Sequence, residues 1–248
     1  GTMFGLGRKR SGNGRLKRLL ADYPAWAPPH LGHVIKTPGS PAPLLTLAQA
    51  RENLEAYRMA VPARIDTLRP VLAALACPLD EAYVDAAEFV RRLHPVLLAE
   101  LPALYGADLA KRPAWETSNR AGDAIVLSFL ADLAMLTGDV LIAAKPGAFW
   151  ALDLDPRDRT KCAAKRPCLL GLVDRLYPDA PPDVFHLEAE WFGYFANMDD
   201  PARLALPNPL PGQWADVIGG ILPERLERYV THPDLATFRR EGWMGDAA

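Results

Sequence analysis

The chain has 248 residues, of which half are hydrophobic and 23% charged, and this is the size and composition of one ordinary globular domain. This composition excludes a disordered or fibrous protein. The longest apolar stretch, residues 124–136, contains Asp132 and is shorter than the ~18 residues that cross a bilayer, so we expect no membrane span. An odd number of cysteines argues against a disulfide framework and favours a cytoplasmic location; they are Cys77, Cys162 and Cys168.

Charge is distributed unevenly between the start of the chain and the rest. Residues 1–18 carry six basic side chains and no acidic one, and we interpret them as a flexible basic leader in which Gly1 and Thr2 are a cloning remnant. The remaining chain has 22 basic and 30 acidic residues, a charge of −8. Residues 19–248 are predicted to form a single, mostly helical domain whose acidity argues against nucleic acid as its partner.

Prolines and a capping pattern define the first ordered segments. Residues 23–43 contain six prolines, a density that predicts extended chain packed against the domain. Thr46 and Gln49 have the spacing of a capping box and predict that a helix begins there. Because proline interrupts helical hydrogen bonding, we expect Pro62 and Pro70 to divide this helix into two or three pieces.

The next two helices are predicted from apolar periodicity. A helix that begins after Asp80 should be bent at Pro95, and another should cover residues 121–136. The apolar residues of the first follow a 3.6-residue spacing; they are Tyr83, Val84, Ala87, Val90, Leu93, Leu97, Leu98 and Leu101.

The centre of the chain predicts a small β element. Residues 139–145 and 148–154 are short strand-like runs on either side of Pro146 and Gly147, which is the pattern of a hairpin. The fold class is therefore mainly α, with α+β as the alternative: a multi-helix domain with a small central β-hairpin or short antiparallel sheet. The last third is predicted to be helical at residues 168–177, 184–198, 213–221, 223–229 and 233–240.

Two pairs of polar residues have spacings that could support chemistry. Asp153 and Asp155 lie two apart at a strand end and would share one face, an arrangement that can hold Mg²⁺, although strand termination explains it as well. His186 and Glu190 are four apart and would meet on a helix, although a polar helix face explains them as well. No nucleotide-binding loop, nucleophile elbow or zinc-protease motif occurs, so we assign no catalytic, cofactor or metal residues.

The acidic pair is followed by a cluster of cations, and together they form the candidate interaction surface. Arg157, Arg159 and Lys161 either pair with the preceding carboxylates or meet an anionic partner. With Trp150, an aromatic side chain typical of interface anchors, they make the segment 139–166 the predicted interaction surface; its residues are Trp150, Asp153, Asp155, Arg157, Arg159 and Lys161.

Residues 129–153 resemble an element that occurs in other proteins. A helix ends in Leu136-Thr137-Gly138-Asp139 and is followed by Gly147-Ala-Phe-Trp150-Ala-Leu-Asp153, which resembles an element of uncharacterised bacterial domains in which a Leu-Gly-Asp/Glu step leads to a hairpin bearing Trp. Thr137 interrupts the usual Leu-Gly pair. Some of these domains are similar to immunity proteins that neutralise toxins, so the resemblance implies a binding function and no active residues.

These observations give a leading hypothesis and two alternatives. The first is a non-catalytic module that binds another protein, as an immunity or regulatory protein does. The second is an enzyme or metal-binding protein that uses the Asp153/Asp155 loop or His186 with Glu190. The third is nucleic-acid binding through residues 8–18 and 157–166, which the overall acidity disfavours.

Overall fold

The computed structural model describes residues 14–155, 164–199, 222–223 and 225–241, and the statements below concern these residues. The predicted fold class is confirmed, because helices dominate and the strands form two small antiparallel pairs. The helices are α1 (Arg15–Leu19), α2 (Leu47–Ala74), α3 (Glu81–Val84), α4 (Ala86–Glu100), α5 (Arg112–Thr117), α6 (Ile125–Ala144), α7 (Leu187–Ala196) and α8 (Leu235–Arg240). The strands are β1 (Phe149–Leu152), β2 (Pro167–Leu170), β3 (Leu172–Asp174) and β4 (Tyr229–Thr231).

Helix α2 begins at the predicted capping box and continues without a break. The Thr46 hydroxyl accepts a hydrogen bond from the Gln49 amide at 3.1 Å, and the Gln49 side chain accepts one from the Thr46 amide at 3.0 Å. The predicted division at Pro62 and Pro70 is wrong, since both lie inside one helix. Burial of one face of α2 against the core offsets the free-energy cost of two prolines inside a helix. The buried residues of α2 are Ala50, Asn53, Leu54, Tyr57, Val61, Arg64, Ile65, Leu68, Val71 and Leu72.

The helix predicted after Asp80 is divided at Asp85. Its side chain accepts a hydrogen bond from the Glu88 amide at 3.0 Å and caps α4. Pro95 lies inside α4. Because the chain changes direction at Asp85, Val84 points into solvent and is 89% exposed, whereas Phe89, Val90, Leu93 and Leu97 form the buried face of α4.

Helix α6 is the centre of the core and packs chiefly against α7 and α2. It runs on to Ala144, so the strand predicted at residues 139–145 is helical. A short apolar run does not distinguish a buried strand from the last turns of a buried helix. The segment Gly122–Ala144 is long and apolar enough to cross a bilayer, but 83% of its most apolar window is buried inside the protein, as expected of a core helix.

The β elements pair differently from the prediction. Strand β1 pairs with β2 instead of with residues 139–145, and β3 pairs with β4. The helix predicted at residues 168–177 is wrong, because β2 and β3 occupy it on either side of Gly171. Gly171 has a φ of 105°, and a side chain there would overlap the carbonyl oxygen of Gly147, so both the conformation and the close approach require glycine.

An extended N-terminal segment, residues 23–45, lies across the helices, as its prolines predicted; we call it the wrap. Trp26 donates its amide proton to the Ser128 hydroxyl at 2.9 Å, and His30 donates to the Asn53 side chain at 2.9 Å. The leader was predicted to be flexible, but its described part, residues 14–18, is folded against the domain: Leu16 in α1 is fully buried, and its amide donates to Glu100 at 3.0 Å. Residues 1–13 lie outside the described residues.

Candidate functional site

A cleft forms where the wrap, α2, the α5 region, the start of β2 and the first turn of α7 meet. It encloses about 460 Å³ of empty space, part of it open to solvent. Aromatic and apolar side chains alternate along its walls with charged ones. The residues that line it are Trp26, Pro28, Asn53, Tyr57, Trp115, Arg120, Lys165, Arg166, Pro167, His186, Glu188 and Ala189.

Arg120 is the most deeply buried cation of the cleft. It follows α5 in the left-handed conformation, with a φ of 57°, and is only 1% exposed. Its Nη2 donates to Glu188 Oε1 at 2.6 Å and to the Trp115 carbonyl at 3.2 Å. Its Nε and Nη1 have no hydrogen-bond partner among the described residues. A buried guanidinium with two idle donors is costly, so this arrangement points to an acceptor beyond those that the described residues supply.

Glu188 is the acidic group of the cleft and stands in the first turn of α7, where a carboxylate is favoured by the helix dipole. Its Oε1 also accepts a hydrogen bond from Trp115 Nε1 at 2.7 Å. Trp115 in turn stacks on Phe192, with ring centroids 5.4 Å apart and planes at 12°. Glu188 therefore fixes both the indole and the guanidinium in position.

Tyr57 of α2 also lines the cleft, and the residue is only 1% exposed. Burial, reinforced by the nearby Glu188 carboxylate, raises the pKa of Tyr57 well above its ordinary value, so the phenol is protonated and is a donor. Its ring is held edge-on by Trp26 at 5.6 Å and Trp150 at 4.9 Å.

Lys165 and Arg166 form a cationic wall of the cleft, and the buried carboxylate of Glu116 behind it holds Arg166. Arg166 Nη2 lies 3.3 Å from Glu116 and donates to the Gly32 carbonyl at 3.0 Å, and its guanidinium lies 4.8 Å from the Trp115 ring centroid. The Glu116 side chain is fully buried and is also paired with His33 Nδ1 at 2.7 Å. Lys165 precedes Arg166 with a φ of 56°. Non-glycine residues in the left-handed region are uncommon, and two of them line this cleft.

The structure brings together some of the residues that the sequence singled out. His186 Nε2 lies 3.1 Å from Asp153 Oδ2 at the edge of the cleft, and the Asp155 amide donates to Asp153 Oδ1 at 3.1 Å. The predicted pairing of His186 with Glu190 is wrong, because both oxygens of Glu190 are taken by Arg225 at 2.8 and 2.9 Å. Within the described parts of the chain, no group of three or more His, Cys, Asp or Glu side chains could hold a metal ion.

The predicted interaction surface is only partly described. Trp150 is buried at 7% exposure and packs against Gly138 of α6, and Asp153 and Asp155 are buried at 2% and 5%. These three side chains therefore contribute to the interior. Arg157, Arg159 and Lys161 lie outside the described residues, so an interaction through them stays a prediction.

Sequence reasoning missed the polar residues that lie deepest in the cleft. Arg120 is a single cation in a loop, and its partner Glu188 is 68 residues further along the chain. Tyr57 and Trp115 have the spacing of ordinary core residues. No local pattern connects these positions. Sequence reasoning named His186, as a partner of Glu190, and the cationic segment 157–166, whose Lys165 and Arg166 line the cleft, but it did not connect them with Arg120, Tyr57 or Trp115.

Comparison with known proteins adds no assignment. The chain matches no protein-family model, and neither a curated protein nor a solved structure matches it.

Proposed function

We propose that the protein is a non-catalytic binding module that holds an anionic group of its ligand in the cleft, against Arg120. The observation that carries the proposal is the buried guanidinium of Arg120, which has two donor nitrogens without a partner among the described residues and lines an open cleft. An acceptor placed there would satisfy these donors and remove the cost of leaving them buried and unpaired.

The charges of the cleft favour an anion over a neutral ligand. Arg120, Lys165 and Arg166 contribute three positive charges to its lining, and Glu188 contributes one negative charge. Because the walls are largely apolar and enclose these cations on several sides, the attraction between an anion and the cations is screened less than it would be on an open surface.

A carboxylate is the simplest group with this chemistry, and it has two sources. It is either part of a free small molecule or an acidic side chain that a partner protein inserts into the cleft. The second source corresponds to the immunity or regulatory function expected from the sequence. Both use the same contacts with Arg120.

Isothermal titration with small carboxylates and with an acidic peptide tests the proposal and separates the two sources. We expect the unmodified protein to bind at least one of them and Arg120→Met to bind it about tenfold or more weakly, since a charged hydrogen bond is lost. Arg225→Met is the matched control, because Arg225 pairs with a glutamate of α7 but does not line the cleft. It should bind like the unmodified protein.

A second variant guards against misfolding. Arg120→Met combined with Glu188→Gln removes both charges, so neither is left buried alone. If this variant folds, as judged by circular dichroism, and still binds the ligand with unchanged affinity, the proposal is wrong. It is equally wrong if the unmodified protein binds no anion at millimolar concentration.

The pair of His186 and Asp153 favours a second candidate, an enzyme. A carboxylate 3.1 Å from an imidazole can orient it for proton transfer, and His186 lines the cleft in which a substrate would lie. Under this candidate, the protein would turn over an ester or amide and His186→Gln would abolish turnover. A panel of chromogenic ester and amide substrates tests this candidate. If the unmodified protein turns over none of them, the enzyme candidate is wrong and only the binding function remains.

A further inference from the structure

We infer that Ser40, His33 and Glu116 form a second site, a catalytic triad that hydrolyses short-chain carboxylic esters through an acyl intermediate on Ser40. This inference goes beyond the binding function proposed for the cleft and does not depend on it, because these three side chains are not among the described residues that line the cleft.

Two hydrogen bonds connect the three side chains in series. His33 Nδ1 lies 2.7 Å from Glu116 Oε2, and His33 Nε2 lies 2.7 Å from the Ser40 hydroxyl oxygen. Because an ionised carboxylate can only accept, Nδ1 carries the proton, and Nε2 of the neutral imidazole accepts from the hydroxyl. The Ala42 amide donates to the same hydroxyl oxygen at 3.3 Å, which leaves the hydroxyl proton directed at His33. This is the order of nucleophile, base and carboxylate by which hydrolases activate a serine.

The base and the carboxylate are held rigidly by burial and by backbone hydrogen bonds. His33 and Glu116 are each only 1% exposed. The His33 amide donates to the Pro43 carbonyl at 2.9 Å, and the His33 carbonyl accepts from the Leu45 amide at 2.8 Å. Arg112, on the same helix α5 as Glu116, lies 2.7 Å from Glu116 Oε1. The imidazole is therefore oriented toward Ser40 before a substrate arrives.

Ser40 stands at the end of a tight turn. Residues 37–40 are Thr-Pro-Gly-Ser, and proline followed by glycine at the two central positions is typical of a type II turn. Gly39 has the φ that this turn requires, 76°, and the Ser40 amide donates to the Thr37 carbonyl at 3.2 Å. Arg112 donates to the Thr37 hydroxyl at 2.6 Å and so connects the turn to α5. Ser40 itself is partly exposed, so a substrate can reach its hydroxyl from solvent.

The surroundings of the turn favour an ester with a short acyl group. A methyl group added to Gly39 would meet no described atom within 4 Å, so the space beside Ser40 is open. A long acyl chain in this space would stay in contact with water and gain little free energy of burial, whereas a short one needs no enclosure.

The reaction has two steps, and His33 transfers a proton in each. In the first, the Ser40 oxygen attacks the ester carbonyl carbon and its proton moves to His33 Nε2; the bond to the alcohol oxygen then breaks, and His33 returns the proton to the leaving alcohol. In the second, His33 takes a proton from water as the water attacks the acyl carbon, and returns it to the Ser40 oxygen as the acid leaves. Ester and water thus give acid and alcohol. Glu116 does not touch the substrate and is a positioning residue.

A fluorophosphonate probe tests the nucleophile, because an activated serine displaces its fluoride and keeps the phosphonyl group, which mass spectrometry locates. We expect one adduct, on Ser40, and release of 4-nitrophenolate from 4-nitrophenyl acetate. Ser40→Ala should lose both. Thr67→Ala is the matched control, since it removes an exposed hydroxyl that donates to the Ala63 carbonyl, and it should react like the unmodified protein.

His33→Gln distinguishes catalysis from a purely structural role of the imidazole. Glutamine keeps a polar side chain at this position but cannot take up the hydroxyl proton, so we expect labelling of Ser40 to be about 100-fold or more slower. Labelling of the unmodified protein should also be lost in concentrated urea, because the three residues meet only in the folded chain; this measurement stands even if His33→Gln does not fold.

The remaining outcomes separate this site from the cleft. Arg120→Met and His186→Gln should label at the unmodified rate, whatever they do to binding or turnover in the cleft. The inference is wrong if Ser40 is not labelled in the folded protein, if folded His33→Gln is labelled at the unmodified rate, or if the denatured protein is labelled as fast as the folded one.

Discussion

At the scale of single residues, buried charges bind distant segments of the chain together. Asp132 is fully buried in the apolar helix α6, and Arg64 of α2 donates to its two oxygens at 2.8 and 2.7 Å. Tyr23 of the wrap donates a short hydrogen bond to the same carboxylate. Burial raises the pKa of Asp132, while Arg64 and Tyr23 oppose that rise. One carboxylate thus joins three segments that are far apart in sequence.

Asp132→Asn tests the strength of this junction. The substitution keeps the shape of the side chain but leaves the Arg64 guanidinium buried without an opposite charge, so we expect it to lower the free energy of unfolding by about 3–5 kcal/mol. Urea denaturation followed by circular dichroism measures this. Asp139→Asn, on the same helix, removes a more exposed carboxylate that accepts from Tyr83 at 2.5 Å, and its effect should stay under about 1 kcal/mol. If the two substitutions lower the free energy of unfolding equally, the proposed role of Asp132 in joining the three segments is wrong.

Residue by residue, the candidate site was harder to predict than the fold. Asp153 and His186 were singled out because their types and positions indicate chemistry, and they do lie together. Arg120 was not, because what distinguishes it is burial and two idle donors, and neither can be read from the letters around it. A cleft assembled from five separate segments depends on tertiary packing, which local sequence does not encode.

At the scale of elements, the start of α2 and the strand at Phe149–Leu152 were predictable, whereas the partners with which the strands pair were not. The capping box at Thr46 is a local signal, and the structure confirms it. Residues 139–145 were misread because Val140 and Ile142 favour strands in isolation, whereas packing against α7 and α2 keeps them helical. Residues 168–177 were misread because their pairing partners lie elsewhere: Leu169 opposite Trp150, and Val173 opposite Val230.

The contact between α6 and β1 has a steric requirement that can be tested at Gly138. A methyl group there would overlap the indole of Trp150, so the helix and the strand could not keep their spacing. We expect Gly138→Ala to lower the free energy of unfolding by about 1–3 kcal/mol, although alanine favours helix formation. Gly106→Ala is the control, since a methyl there meets only the Leu109 side chain at ordinary distance. A stabilised Gly138→Ala protein would contradict the predicted overlap.

Helix α4 carries an ion cluster whose pH dependence follows from the pKa of Glu88. Hydrogen bonds from Arg91 and Arg92 lower this pKa to about 2. Because the folded state favours the ionised carboxylate, the cluster stabilises the protein fully above about pH 4.5, and this contribution is lost as the pH falls toward 2. Glu88→Gln should therefore flatten the dependence of Tm on pH between these values. The difference in Tm between the unmodified protein and Glu88→Gln should shrink in 1 M NaCl, because salt screens the ion pairs. If both proteins lose Tm equally steeply as the pH falls, Glu88 is not the source of the pH dependence.

At the scale of the whole molecule, the wrap is held by side chains instead of by regular backbone pairing. Ser128 is central, because its hydroxyl accepts from the Trp26 amide at 2.9 Å and donates to the Arg120 carbonyl at 2.8 Å. The wrap and the loop that carries Arg120 are therefore fixed by the same residue of α6. The shape of the cleft depends on this connection.

Hydrogen exchange measures the attachment directly. We expect the Trp26 amide to exchange slowly in the unmodified protein and much faster in Ser128→Ala, with the His30 amide, bonded to Asn53, changing less. Thr67→Ala removes a hydroxyl on an exposed face of α2 and should change neither amide. Fast exchange at Trp26 in the unmodified protein would show that the wrap is not held in this way.

The buried carboxylate of Asp132 in α6 also affects how a nascent chain is sorted. Residues 122–144 are as apolar as a membrane anchor, and Asp132 stands near their middle. A charge at that depth costs about 2.5–3.5 kcal/mol for insertion by a translocon, whereas the folded protein provides Arg64 and Tyr23 as partners. The residue that joins the helices therefore also biases the segment toward folding over insertion, and Asp132→Leu would create a sequence that a translocon recognises more readily.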